Sequence, residues 1–229
     1  MPPIRKLLFG LFRNRIPAAS NITSPYNEPD QSQPDIIAEI AATSAEGMDV
    51  NTTEPVGYAT NRFRVEFFGV LQAVVKFNFS SMAVDISSIQ VNEAERNQGI
   101  CKAFIRSLYR AAQAGGFGKM ELTASMDGRF VWAALGFRPT VGSWVVLKRH
   151  LLQRLHWADD RYPATHVEAI RQIIMLDDPR SLPLLADLPG DISDAFSPVG
   201  MICRILMSGP TWQGELFMGD PIDEDHLFR

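Results

Sequence analysis

The chain has 229 residues, 46% of them hydrophobic and 21% charged, and a net charge of −4. That is the composition of a soluble globular protein, and it excludes the overall basic field that nucleic-acid binding draws on. No run of about 18 apolar residues is present to span a bilayer. Two cysteines, Cys101 and Cys203, stand without paired spacing. They give no disulfide framework and no zinc knuckle, which fits a reducing, cytoplasmic setting.

Charge is unevenly distributed along the chain. Residues 1 to 27 carry Arg5, Lys6, Arg13 and Arg15 and no acid, whereas residues 177 to 229 carry ten acids against three arginines. The opening "IRKLLFGLFRNRIP" has a short apolar core between basic flanks. It reads as an interfacial helix, a targeting leader or a disordered arm, and it gives residues 4–16 some capacity for peripheral membrane contact. "PAASNITSPYNEPDQSQPD" has no packing face and reads as linker. Residues 1–35 therefore form a flexible basic and polar leader, and such a leader also suits an exported bacterial effector. "DIIAEIAATSA" follows, with Ile36, Ile37, Ile40 and Ala41 at helical spacing.

"NRFRVEFFGVLQAVVKFNFS" alternates apolar and polar residues, and predicts two strands or one long strand bent near Gly69. In "SMAVDISSIQV" the apolar positions are even at Met82, Val84 and Ile86 but odd at Ile89 and Val91. One strand can carry that phase switch only with an extra residue, a bulge near Ser87 and Ser88; the alternative is two short strands. From Ile100, apolar residues at Cys101, Phe104, Ile105, Leu108, Tyr109 and Ala112 predict an amphipathic helix, stopped by "AGGFG". "KMELTA" predicts a strand. "SMDGRFVWAALGF" predicts a turn, a short helix capped by Asp127 and a stop at Gly136. "GSWVVLKR" predicts a further strand. The remainder, punctuated by prolines, has helical periodicity, so residues 151–229 are expected to form a helical, acidic C-terminal extension.

Between strand and helix stands "RNQGIC". The first turn of a helix presents unpaired N–H groups and the positive end of the dipole, and glycine lets an anion approach the backbone. In the order Arg96-Asn97-Gln98-Gly99-Ile100-Cys101, after Ile89-Gln90-Val91, the turn resembles the coenzyme A pyrophosphate loop of the GNAT acetyltransferases. The bulged strand before it and "WAALGF" after it resemble the same family's motifs, over residues 48 to 150. The resemblance implies an α/β fold: a GNAT-like mixed, mostly antiparallel sheet with flanking helices in residues 36–150, plus the C-terminal helical extension. It implies acetyl-CoA, or another acyl-CoA, as co-substrate, and an amine of a protein or small molecule as acceptor. The amides of Gln98, Gly99, Ile100 and Cys101 would hold the pyrophosphate, with Arg96 and Asn97 in the same loop. Ile89, Gln90 and Val91 would hold the pantetheine arm, and Lys102 or Arg106 would reach the nucleotide phosphate.

Three positions depart from the family pattern. Cys101 replaces the last small residue of the loop. Its thiol would be acidified by the helix end, or simply buried in place of alanine. Trp132 stands where the family has the tyrosine that protonates the leaving thiolate, and an indole cannot give up its proton. Ser125 stands where an asparagine is common. Candidates for the general base are Glu66, Asp85, Glu93 and Glu121, with Glu93 preferred. The catalytic set is thus Glu93, Ser125 and Trp132; the alternative is a GNAT-fold binding module without turnover. The histidines lack ligand spacing, so no metal is expected, and neither Gly-x-Ser-x-Gly nor a phosphate-binding Gly-x-x-x-x-Gly-Lys-Ser/Thr occurs.

Overall fold

The computed structural model describes residues 50–55, 62–67, 70–158 and 162–229. The leader, residues 4–16, the segment 35–45 and Asp159 and Asp160 lie outside the described residues. The described part falls within one compact unit.

Strands β1 (Val50–Pro55), β2 (Arg62–Phe67), β3 (Leu71–Asn78) and β4 (Ala83–Val91) form an antiparallel meander. The aromatic stretch after Asn61 is thus two paired strands, Phe67 opposite Leu71. On β3, Leu71, Ala73, Val75 and Phe77 are buried and Gln72 and Lys76 exposed, the period of a strand with one face on the core.

β4 carries the bulge that its phase switch requires. Val74 pairs with Ser88 and Val75 with Ile86, so Ser87 is the extra residue. Before it, Val84 and Ile86 are buried; after it, Ile89 and Val91 are the half-buried positions between exposed neighbours. The strand stays one strand because β3 continues along it on both sides of the bulge.

A 3-10 turn (Glu93–Glu95) leads to helix α1 (Ile100–Ala114), which buries Phe104, Ile105, Leu108, Tyr109 and Ala112. Its end wraps back, with the Phe117 amide donating to the Ala112 carbonyl at 3.0 Å and Gly116 in the left-handed region at φ +84°. Phe117 then packs against Phe77 and Phe79, each with ring centroids 5.4 Å apart. Strand β5 (Lys119–Ala124) runs parallel to β4. Helix α2 (Gly128–Ala134) follows, closed by Gly136 at φ +92°. Asp127 occupies the position before α2, but its side chain makes no capping bond.

Two expectations are corrected beyond this point. After the two-residue strand β6 (Arg138–Pro139), "GSWVVLKR" is not a strand but the first half of helix α3 (Val141–Ala158). The buried residues are Trp144, Leu147, Leu151 and Leu155, spaced three and four apart, while Val145 and Val146 are exposed. Packing of that stripe overrides the strand preference of two adjacent valines. The Thr140 carbonyl starts the helix by accepting from the Trp144 amide at 2.8 Å.

The C-terminal segment is helical in α4 (Ala164–Met175), α5 (Ser181–Ala186) and α6 (Pro198–Met207). It then supplies strand β7 (Trp212–Phe217) to the sheet, before the last helix α7 (Pro221–Phe228). β7 lies between β5 and β6, in the order β1-β2-β3-β4-β5-β7-β6. The segment after residue 150 is therefore not an appended helical extension: α3 crosses that boundary and β7 completes the sheet. The protein is a mixed α/β fold with a mostly antiparallel sheet and flanking helices. No described helix is long and apolar enough to cross a membrane.

Candidate functional site

β4 and β5 are the one parallel pair of the sheet among the described residues, so both strands end at the same edge of the molecule. They pair from Ala83 with Lys119 to Ile86 with Leu122, and there the pairing stops. β5 continues through Thr123 and Ala124 with β7 alone; β4 continues from Ser88 to Val91 with β3 alone. The parting begins at Ser87, the bulged residue, because an extra residue turns the strand away from one neighbour. It leaves the β5-facing edge of Ser87–Val91 without a ladder partner, in a segment whose side chains are half-buried or exposed.

At the mouth of that gap lies the turn. Asn97 at φ +67° and Gly99 at φ +76° are both left-handed, and they coil the chain into the start of α1. Asparagine and glycine are the residues that tolerate this conformation best. The first bond of the helix ladder runs from the Ala103 amide to the Gly99 carbonyl at 2.9 Å, so the amides of Ile100, Cys101 and Lys102 precede the ladder. A Cβ built on Gly99 meets nothing within 4 Å, so the space beside Gly99 itself is open. Arg96, Asn97 and Gln98 are exposed around it, and the Gln98 side chain reaches back to the Ala94 carbonyl at 3.5 Å.

A cleft of about 390 Å³ opens beside the turn. β4 contributes Gln90 and Val91, the following segment Asn92, Glu93 and Arg96, and the approach to and start of β3 contribute Val70, Leu71 and Gln72. The β3 residues were not foreseen from the sequence. The register explains them: Leu71 stands opposite Val91 and Gln72 opposite Gln90, so the hairpin brings the start of one strand to the end of the other. The Asn92 amide donates to the Val70 carbonyl at 2.8 Å, and its side chain accepts from the Ala94 amide, holding Glu93 in the 3-10 turn. Glu93 and Arg96 both face the cleft and form no ion pair with one another among the described residues.

The other base candidates are placed elsewhere. Asp85 accepts from the Ser87 hydroxyl at 2.7 Å, and Glu121 is paired with Lys119. The side chain of Glu66 lies outside the described residues. Ser125 follows β5 and is exposed at the same end of the sheet as Val91.

Trp132 is 6% exposed and packs edge-on against Phe137, with ring centroids 5.4 Å apart. Its Nε1 would lie 2.9 Å from a Cβ added at Gly128, so glycine there is what admits the indole. It is a core residue.

Of the two readings of Cys101, an acidified thiol or one buried in place of alanine, the second fits. Burial pushes the thiol up to about 11, and this outweighs its place in the first turn of α1. Alkylation of the native protein near neutral pH should be slow at Cys101 and become fast only on unfolding. Mass spectrometry after timed iodoacetamide exposure reads this directly, and rapid native labelling would show that the turn opens.

On the outer face of α1, the basic row is in use. Arg106 Nε donates to the Leu227 carbonyl of α7 at 2.7 Å, and the Arg110 guanidinium lies 4.7 Å from the Phe228 ring centre. Arg106 is therefore engaged away from the turn, leaving Lys102 nearer to it. One turn along, the Tyr109 hydroxyl donates to Glu224 at 2.6 Å and accepts from the Gly219 amide at 2.9 Å. Glu224 is held below its usual range first by that Tyr109 bond. α7 is thus fastened along α1 by polar contacts over a buried tyrosine.

Among the described residues no group of His, Cys, Asp and Glu could hold a metal ion. No protein-family model, no curated protein and no solved structure matches the chain.

Proposed function

We propose that the protein is an acyl-CoA-dependent N-acyltransferase of GNAT-like fold, transferring an acetyl or related acyl group to an amine. One observation carries the reading. The parallel pairing of β4 with β5 ends at Ile86, the bulge falls on the next residue, and a left-handed turn opening a helix closes the same gap.

Each part then has a task. The amides at the start of α1, with Gly99 beneath, receive the pyrophosphate. The unpaired edge of Ile89, Gln90 and Val91 offers backbone donors and acceptors to the two amides of the pantetheine arm. A backbone N–H on that edge polarises the thioester carbonyl. The amine nitrogen attacks the carbonyl carbon, the C–N bond forms, and the C–S bond breaks with its electron pair leaving on sulfur. Glu93 takes a proton from the amine directly or through water. With Trp132 in the core at the position expected for a tyrosine, the thiolate takes its proton from solvent.

Buried Trp132 also motivates a second reading, in which the same site binds acyl-CoA without turnover. Melting curves with acetyl-CoA, followed by thiol release with a panel of amines, separate the two. At about a hundred times Kd a bound ligand adds ~2.7 kcal/mol, a rise of about 5–10 °C for a chain of this size. A rise with thiol release supports the transferase; a rise without it supports the binding module. No rise at saturating acetyl-CoA removes both. The setting suited to either is cytoplasmic; export as an effector is the alternative, and it rests on residues 1–35 alone.

A further inference from the structure

We propose that the cleft between the start of β3 and the end of β4 binds a zwitterion, an α-amino acid with an apolar side chain. Glu93 receives its ammonium group and Arg96 its carboxylate. As the acceptor site of the transferase this deepens, and in that role rests on, the function proposed above; as a binding site it does not depend on it.

The cleft joins two unlike linings. Val70, Leu71 and Val91 are apolar, while Glu93 and Arg96 bring opposite charges to one rim. Asn92 caps the 3-10 turn, and the Arg96 amide donates to the Glu93 carbonyl at 3.3 Å, which fixes the backbone that carries both charged side chains on one side of the turn. No ion pair forms between them or to another described residue. A ligand carrying both charges satisfies both groups at once, whereas a simple amine or a simple acid satisfies one. The cleft's 390 Å³ sits at the small end of the range of small-molecule sites. That suits one amino acid rather than a folded protein tail.

The bound ammonium must shed a proton before it attacks. The Glu93 carboxylate accepts it and passes it to water. After attack, the nitrogen loses a second proton, and the departing thiolate gains one. The sum is an N-acyl amino acid, free coenzyme A and one released proton.

Binding to the full chain is measured with three molecules of one shape: L-leucine, 3-methylbutylamine, which lacks the carboxylate, and 4-methylpentanoate, which lacks the amine. Calorimetry or ligand-observed NMR, with no coenzyme present, should find leucine at least about tenfold tighter than either, the scale of one charge-assisted hydrogen bond. Glu93→Gln should weaken leucine while leaving 4-methylpentanoate no weaker. Arg96→Gln should weaken leucine while leaving 3-methylbutylamine no weaker. Equal binding of the three molecules, absence of leucine binding, or indifference of leucine to both substitutions would overturn the proposal. Acetyl-CoA binding is recorded separately on the same samples. Leucine binding without coenzyme binding keeps the site and removes the transferase; coenzyme binding without leucine binding does the reverse.

Discussion

Gly99→Val should weaken acetyl-CoA binding about a hundredfold while the protein still folds, the loss expected when several hydrogen bonds to one anion are blocked together. Two facts fix the expectation. Gly99 sits at φ +76°, where a β-branched residue is strained, which costs stability on the order of 1–3 kcal/mol. Yet a Cβ there meets no atom within 4 Å, so nothing in the folded chain collides with it. The added methyl groups instead stand in open space at the turn, one residue from the Ile100 amide, where a pyrophosphate bound as proposed would have to come close. Gly99→Ala shares the backbone strain but adds only one carbon, so it should lose comparable stability and much less affinity. Calorimetric titration with acetyl-CoA, beside denaturant unfolding of all three proteins, separates obstruction from strain. Undiminished binding by the valine variant would place the phosphate somewhere other than this turn.

The parts of the site built from local signals could be read from the sequence. The phase switch between Ile86 and Ile89 left a bulge or two short strands, and β4 is one strand with the bulge at Ser87. The spacing of Phe104, Ile105, Leu108 and Tyr109 makes one helical stripe, and α1 buries that stripe. Gly99 at the junction of strand and helix marked the tight turn, and the structure adds Asn97 as its second left-handed residue. Each conclusion needs only a window of residues and the geometry of one element.

What escaped was non-local. "WQGELF" alternates bulky and polar residues but holds a glycine and a glutamate, and it sits in an acidic stretch. Its strand character comes from β5, where Trp212, Gly214 and Leu216 stand opposite Ala124, Leu122 and Met120. Gly214 is small because the Trp212 ring and Leu122 lie against it; a Cβ there would come within 2.6 Å of the indole. The valines of α3 misled for the opposite reason: their strand preference is local, and the burial that overrules it is contributed by other elements. Val70 and Gln72 escaped as well, since only the hairpin register carries them to Gln90 and Val91. Alternation on both sides of Gly69 was the available signal, but it does not say which residues face one another.

β7 also creates the strongest stability prediction. Arg138→Ala should destabilise the protein by about 3 kcal/mol near neutral pH, the cost of leaving a buried charge without its partner. Arg138 reaches from β6 across the Phe217 ring, 4.3 Å from its centre, to Asp223 at 3.7 Å and Asp220 at 3.6 Å. Asp220 retains Arg180 at 2.7 Å, and its side chain is 17% exposed. Asp223, with a side chain only 3% exposed, keeps the Phe217 amide, which donates to it at 2.9 Å, and the weaker pull of Arg180. Burial already pushes the Asp223 carboxyl above its ordinary value, against the pull of that amide and of Arg138. Removing Arg138 raises it further. A carboxyl raised in the folded state binds its proton more tightly there than in the unfolded chain. Its contribution to stability is therefore greatest below its unfolded value and is lost as pH rises through the folded one. The penalty of Arg138→Ala should thus shrink steadily on acidification, and urea titrations across about pH 4–8 would trace it. Adding Asp223→Asn should remove that pH dependence by removing the charge. A penalty that stays level with pH would assign the loss to the stacked guanidinium and Phe217 rather than to the abandoned carboxylate, since packing on an aromatic face carries no proton.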